Sequence, residues 1–199
     1  VNANSKSNID LSYANAKNNT SKSHFFAKRK NELNFNNFEE SELNLNVQLV
    51  SNDTYLKTYK LKSPLITNDG LLTSSVGLSA YRKDLSFDSN IYVYEDLTKS
   101  NSDRYEFIFP DYSVEKTIQN IFDKNGNFTF SSSGYLKNFD TNIYERSITN
   151  DFSFDSYSMF TNFGFKNDYK ILLRNINSDS TKSKKEDDNK RKHKLVSMA

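Results

Sequence analysis

Leu43-Asn44-Leu45-Asn46-Val47-Gln48-Leu49-Val50 alternates apolar and polar side chains almost one for one. Successive side chains of a strand point to opposite faces, so Leu43, Leu45, Val47 and Leu49 share one face and Asn44, Asn46 and Gln48 the other. A helix would scatter both sets around its axis. The stretch from Leu85 to Tyr94 repeats the pattern, with Leu85, Phe87, Ile91 and Val93 on one side and Ser86, Asp88, Asn90, Tyr92 and Tyr94 on the other.

Weaker alternation runs from Leu72 to Tyr81, Tyr105 to Phe109, Asn127 to Ser131 and Thr149 to Phe154. With Ile9 to Ala14, Phe25 to Phe35 and the aromatic run Phe160 to Leu173, this makes roughly nine candidate strands, each near the ~9 to 11 residues that cross a bilayer as a tilted strand. Thr117 to Asp123 sets Ile118, Ile121 and Phe122 at helical spacing, but the stretch is too short to hold a helix. The expected fold is all-β: an antiparallel, up-and-down, transmembrane β-barrel, present as a fragment.

The connections support this reading. Short links at Asn36 to Glu40, Arg82 to Asp84, Asp123 to Asn127 and Asp155 to Tyr157 interleave with longer polar ones at Ser51 to Asn68, Glu95 to Asp103, Lys137 to Asp140 and Asn175 to His193. Outer-membrane barrels have short periplasmic turns and longer extracellular loops. The organisation expected is residues 1–181 as barrel, 182–193 as a charged extracellular loop, and 194–199 as the start of a further strand.

Alternation alone does not say whether the apolar side meets lipid or a protein core. The other side decides for lipid: Asn44, Asn46, Gln48, Ser75, Ser79, Asp88, Asn90, Thr129 and Ser131 are small or polar and suit a water-filled lumen, and they are the candidate lumen-facing residues. Tyr55, Tyr59, Tyr81, Tyr92, Tyr94, Tyr112, Tyr135, Tyr144 and Tyr157 cluster near strand ends, where aromatic girdles sit. Tyrosines also fill half-exposed positions in any all-β protein.

Composition agrees. Among 199 residues are 16 Phe and 12 Tyr with no Trp, too many aromatics for a disordered chain. The surplus of Asn, Ser, Lys and Phe is the usage of an AT-rich genome. The lack of Cys excludes a disulfide framework, thiol catalysis and thiolate metal sites. No stretch approaches the ~18 consecutive apolar residues of a membrane-spanning helix.

Catalytic signatures are missing. There is no Gly-x-Ser-x-Gly elbow, phosphate-cradling glycine loop or His-Glu-x-x-His motif. Asp123-Lys-Asn-Gly-Asn127 resembles the opening of a calcium loop, but its glycine stands fourth and no acid closes the loop; it reads as a hairpin turn in which Asn125 and Gly126 take positive φ. His24 and His193 have no paired spacing and read as surface residues, so no catalytic, cofactor or metal site is expected. The charge run Lys182 to Lys194 reads as a solvated loop, whose cations would also suit lipopolysaccharide phosphates.

In order along the chain, Leu43 to Lys57 with its Ser-Asn-Asp-Thr-Tyr-Leu opening, Asp88 to Leu97, Phe107-Ile-Phe-Pro-Asp-Tyr112 and Ser133 to Thr141 resemble the barrel of the lipopolysaccharide-assembly family LptD, the organic solvent tolerance proteins, in its alphaproteobacterial form. The likeness covers about Ser23 to Asn177. It implies a conduit, not an enzyme, in the cell outer membrane. Its expected partners are lipopolysaccharide, a lipoprotein plug in the lumen, periplasmic lipopolysaccharide-bridge proteins and outer-membrane lipid; nucleic acid is not among them.

The family's periplasmic N-terminal domain, cysteines and aromatic-ended last strand are missing. Truncation at both ends, read from the start at Val1 and the stop after Lys194 to Ala199, is the expected reason. Another outer-membrane barrel, such as a porin or nutrient receptor, and a secreted β-sandwich surface protein are the alternatives. A barrel hydrolase would need a Ser, a His and an acid to converge.

Overall fold

The computed structural model describes residues 4–15, 21–119, 126–140, 143–181 and 192–198. The strands are β1 (Ser5–Asn15), β2 (Ser21–Glu32), β3 (Glu40–Val50), β4 (Leu71–Arg82), β5 (Leu85–Asp96), β6 (Tyr105–Gln119), β7 (Gly126–Phe139), β8 (Ile143–Ser156), β9 (Met159–Phe160), β10 (Lys166–Asn167), β11 (Lys170–Thr181) and β12 (Lys192–Met198). A single helical turn, α1 (Tyr55–Tyr59), lies between β3 and β4, and a 3-10 turn at Asn101–Arg104 precedes β6.

One sheet of ten strands runs β1-β2-β3-β4-β5-β6-β7-β8-β11-β12, while β9 and β10 form a separate two-stranded hairpin. Chain neighbours pair antiparallel throughout the sheet. The chain is therefore all-β with an antiparallel, up-and-down sheet, as the alternation predicts. The closed barrel is not present: β1 and β12 are the two edges of an open sheet. A β-sandwich requires a second sheet packed face to face, and the described strands supply none beyond the small hairpin.

Several strands exceed their expected bounds. Tyr105 to Phe109, Asn127 to Ser131 and Thr149 to Phe154 are the most alternating parts of β6, β7 and β8, which reach 15, 14 and 14 residues. Register shifts between Ile108 and Asp111 absorb Pro110, whose ring nitrogen carries no proton for the ladder. Beyond this bulge the alternation resumes one residue out of phase, which hides the length of β6 from a period-two reading.

The aromatic run Phe160 to Leu173 is not one strand. It breaks into β9, β10 and the start of β11, because Thr161 and Gly164 close a tight turn: Gly164 has φ +83 and donates to the Thr161 carbonyl at 2.9 Å. The expected short link at Asp155 to Tyr157 is thus a connection over residues 157–169. At the opposite end, β7 extends to Phe139, so Lys137 to Asp140 is mostly strand. The short-long rhythm fails at these two places. Gly126 begins β7 without a positive φ; it is needed because a Cβ there would meet the Asp155 carbonyl oxygen at 2.4 Å. Residues 120–125 and 182–191, which hold most of the presumed turn and charge run, lie outside the described residues.

The buried core is small and sits at one end. Between β3 and β4 the ladder stops at Asn46–Ser75, and beyond that point the strands part. Residues 51–70 fill the opening, burying Tyr55 and Leu56 against Phe26, Leu72 and Leu97.

Candidate functional site

Directly opposed residues on neighbouring strands share a face, so the ladder registers sort every strand residue onto one of two sides. Asn44 faces Gly77, and Asn46 faces Ser75. Ser75 faces Tyr92, Gly77 faces Asn90, and Ser79 faces Asp88. Asp88 faces Ser113, and Asn90 faces Asp111. Glu115 faces Ser131, and Thr117 faces Thr129. All the candidate lumen residues therefore lie on a single face, with Gln48 opposite Phe26 on that same side.

Gln48 differs from the others in being 7% exposed, covered by residues 51–70. Its side chain stands in for the missing ladder: Oε1 accepts from the Thr73 N–H at 2.8 Å and Nε2 donates to the Leu65 carbonyl at 2.8 Å. It holds structure and is closed to solvent. Ser79 and Asp88, by contrast, line an open cleft of about 310 Å³ with Glu40 and Glu42.

Cross-strand polar contacts stitch this face. Arg174 donates to Asp151 through Nε at 2.7 Å and through its terminal nitrogen at 2.5 Å, which joins β8 to β11. Lys137 pairs with Glu106 at 2.9 Å, Lys170 with Asp155 at 3.0 Å, and Lys30 with Glu42. Tyr135 donates to Glu145 at 2.5 Å. Charge is also segregated. Lys6 and Lys28 on β1 and β2, and Asp88, Asp111 and Glu115 on β5 and β6, have no ion-pair partner among the described residues.

The other face is apolar and open. Ile9 and Leu11 on β1, Leu49 on β3, Val76 on β4, Ile91 on β5, Phe107 on β6, Phe130 on β7, Ile148 and Phe152 on β8, and Ile171 and Leu173 on β11 are all exposed. Among the described residues no protein layer covers them. Most charged side chains of this face stand toward strand ends: Arg146 pairs with Asp179 at 2.7 Å at one end, while Arg82 and Lys116 gather on Asp84 at the other. Arg29 is the exception, in the cross-strand row of Leu45, Val76 and Ile91, with its Nε donating to Asn31 Oδ1 at 2.8 Å. Midway, a polar patch satisfies itself, with Ser132 Oγ donating to Asn150 Oδ1 at 2.8 Å beside the Tyr112 hydroxyl at 3.4 Å.

Gly134 sits under Tyr112, its direct cross-strand partner. A Cβ there would come 2.6 Å from the Ser147 carbonyl oxygen and 3.0 Å from the tyrosine ring. The glycine lets the aromatic lie flat across the strand.

The tyrosines near strand ends do not share one face. Tyr144 stands at a strand end on the apolar face, but Tyr92, Tyr94 and Tyr135 fall on the polar face by register. Tyr55 and Tyr59 belong to α1. His24 is a further correction: it is 5% exposed, with Nε2 3.1 Å from Asp10 Oδ1 and its ring stacked on Phe26 at 4.6 Å. Nothing in the local sequence marks it as buried, because its cover comes from residues far along the chain. The side chain of His193 lies outside the described residues.

Among the described residues no group of three or more potential metal ligands occurs, and no helix is long and apolar enough to cross a membrane. In the turn between β4 and β5, the Lys116 ammonium and then the Arg82 guanidinium hold the Asp84 carboxyl at about 2, below its usual 3.8. Compared with protein-family models, curated proteins and solved structures, the chain gives no match.

Proposed function

We propose that this chain forms part of the wall of a transmembrane outer-membrane β-barrel, and that the barrel serves the insertion of lipopolysaccharide into the outer leaflet. The observation that carries the first half is the sidedness of the sheet. In a water-soluble sheet the apolar face is the covered one. Here it is open, bounded by charged side chains toward both ends, and backed by a polar, ion-paired face. Strands of 11 to 15 residues are long enough to span a bilayer when tilted.

The second half rests on the ordered resemblance of Leu43 to Lys57, Asp88 to Leu97, Phe107 to Tyr112 and Ser133 to Thr141 to the LptD barrel. The polar face suits such cargo: Lys6 and Lys28 offer cations to phosphorylated sugars, and the open apolar wall meets acyl chains. In this reading the partners are lipopolysaccharide, a lumen plug lipoprotein, periplasmic bridge proteins and outer-membrane lipid. The chain works as a conduit by differential solvation.

Photo-crosslinking tests it. A photoreactive side chain at Asn90 or Thr129 in the full-length protein, reconstituted in vesicles with purified lipopolysaccharide, is expected to capture the glycolipid, whereas one at Phe152 captures bulk phospholipid. If polar-face positions capture none while the vesicles leak small solutes, a porin-like channel replaces the transport reading.

A further inference from the structure

The hairpin of residues 157–169 displays aromatic side chains without a core to receive them. Phe163 is 89% exposed, and Met159, Phe160, Phe165 and Tyr169 are exposed beside it. Rings left in water oppose folding, so a segment that holds them outward needs an environment that rewards the display.

The display is built. β9 and β10 pair through Phe160–Lys166 and Met159–Asn167. The turn is closed by the Thr161 N–H donating to the Phe165 carbonyl at 2.9 Å and the Phe165 N–H donating to Thr161 Oγ1 at 3.1 Å. At its base the Ser156 N–H donates to the Tyr169 carbonyl at 2.8 Å, the Tyr169 N–H to Ser156 Oγ at 2.7 Å, and the Tyr157 hydroxyl to Asn127 at 2.8 Å. The bonds at Thr161 and Phe165 satisfy backbone groups from within the hairpin, and Ser156 at its base satisfies those of Tyr169, which lowers the cost of placing the turn in an apolar medium.

The hairpin also continues the apolar face. Phe154 and Ile171, direct partners on that face, floor a hollow of about 550 Å³ shared with Met159 and Tyr169. The adjacent charges are spoken for: Lys166 pairs with Asp168 at 2.8 Å and Lys170 with Asp155 at 3.0 Å.

We infer that the hairpin of residues 157–169 is a membrane-interface anchor whose Phe160, Phe163 and Phe165 insert at the headgroup–acyl boundary of the leaflet at its end of the sheet, an inference that rests on the apolar face being the lipid face. Aromatic side chains favour that boundary. The lipid surface is the occupant because the exposed rings run on from the open wall of Phe152, Phe154, Ile171 and Leu173.

These 199 residues hold no tryptophan, so once any tryptophan elsewhere in the protein is replaced by phenylalanine, single-tryptophan variants report cleanly. Phe163→Trp and Ile148→Trp would each be made in the full-length protein and reconstituted in phosphatidylcholine vesicles brominated at shallow or deep acyl positions, with circular dichroism confirming the fold. The expected result is that Phe163→Trp emission is blue-shifted and quenched at least twofold more by shallow than by deep bromines, while Ile148→Trp is quenched best by deep ones. A water-like, unquenched Phe163→Trp beside a quenched Ile148→Trp overturns the anchor and leaves the wall intact. If neither is quenched, the lipid-facing wall falls as well. Blue-shifted Phe163→Trp emission that bromines do not touch assigns the hairpin to a protein contact and also overturns the anchor.

Discussion

Residues 51–70 and residues 157–169 are both long connections rich in apolar side chains, and the fold treats them in opposite ways. The first buries Leu56 to 1% exposure; the second leaves Phe163 at 89%. The difference lies in the strands they join. The β3–β4 ladder ends at Asn46–Ser75 and opens a slot that Tyr55 and Leu56 fill, whereas β8 and β11 are paired from Lys170–Asp155 to Thr181–Tyr144 and leave no slot. In this fold the apolar loop residues are buried where the ladder is incomplete and left exposed where it is complete.

The largest expected effect is at the filled slot. Leu56→Ala removes a fully buried side chain from the cluster with Phe26 and Leu72, and should lower stability in detergent micelles by about 2–5 kcal/mol, read from denaturant midpoints at unchanged slope. A loss below ~0.5 kcal/mol would mean that residues 51–70 do not pack as described.

Gln48→Ala tests the side chain that replaces the missing ladder. It leaves the Thr73 N–H and the Leu65 carbonyl without their partner, so a cost of about 1–3 kcal/mol is expected, together with faster amide exchange at Thr73. Unchanged exchange would show that the seam closes without it. In contrast, Phe163→Ala should move micellar stability by less than ~0.5 kcal/mol, because the ring touches no core; a larger loss would erase the comparison.

The smallest effect concerns the turn at Asp84. Its carboxyl titrates lower in the folded chain than in the unfolded one, so its pairing with Lys116 and Arg82 favours the fold above the ordinary carboxylate pKa of 3.8 and is lost as pH falls to about 2. Asp84→Asn should therefore lower the unfolding midpoint slightly at pH 7 and match the unaltered protein near pH 2. A gap that persists at pH 2 would assign the effect to something other than this carboxylate.

Much of this was legible in the residues. Asn44, Asn46, Gln48, Ser75, Ser79, Asp88, Asn90, Thr129 and Ser131 share a face because parity within each strand is a local property, and the registers extend it across the sheet. Other features were hidden. Pro110 shifts the phase of β6, the aromatic run Phe160 to Leu173 looks like strand until Gly164 turns it, and His24 looks like a surface residue until Asp10 and Tyr55 close over it.

The amino-acid sequence alone determined the period-two pattern, and with it an all-β, antiparallel chain with one apolar and one polar side, because side-chain direction in a strand depends only on position along the strand. Tertiary structure decided where the ladders stop, that β1 and β12 remain edges, which glutamine is buried, and which aromatic loop is covered. Those outcomes depend on the spacing between strands far apart in the chain, and no local run of residues encodes that spacing.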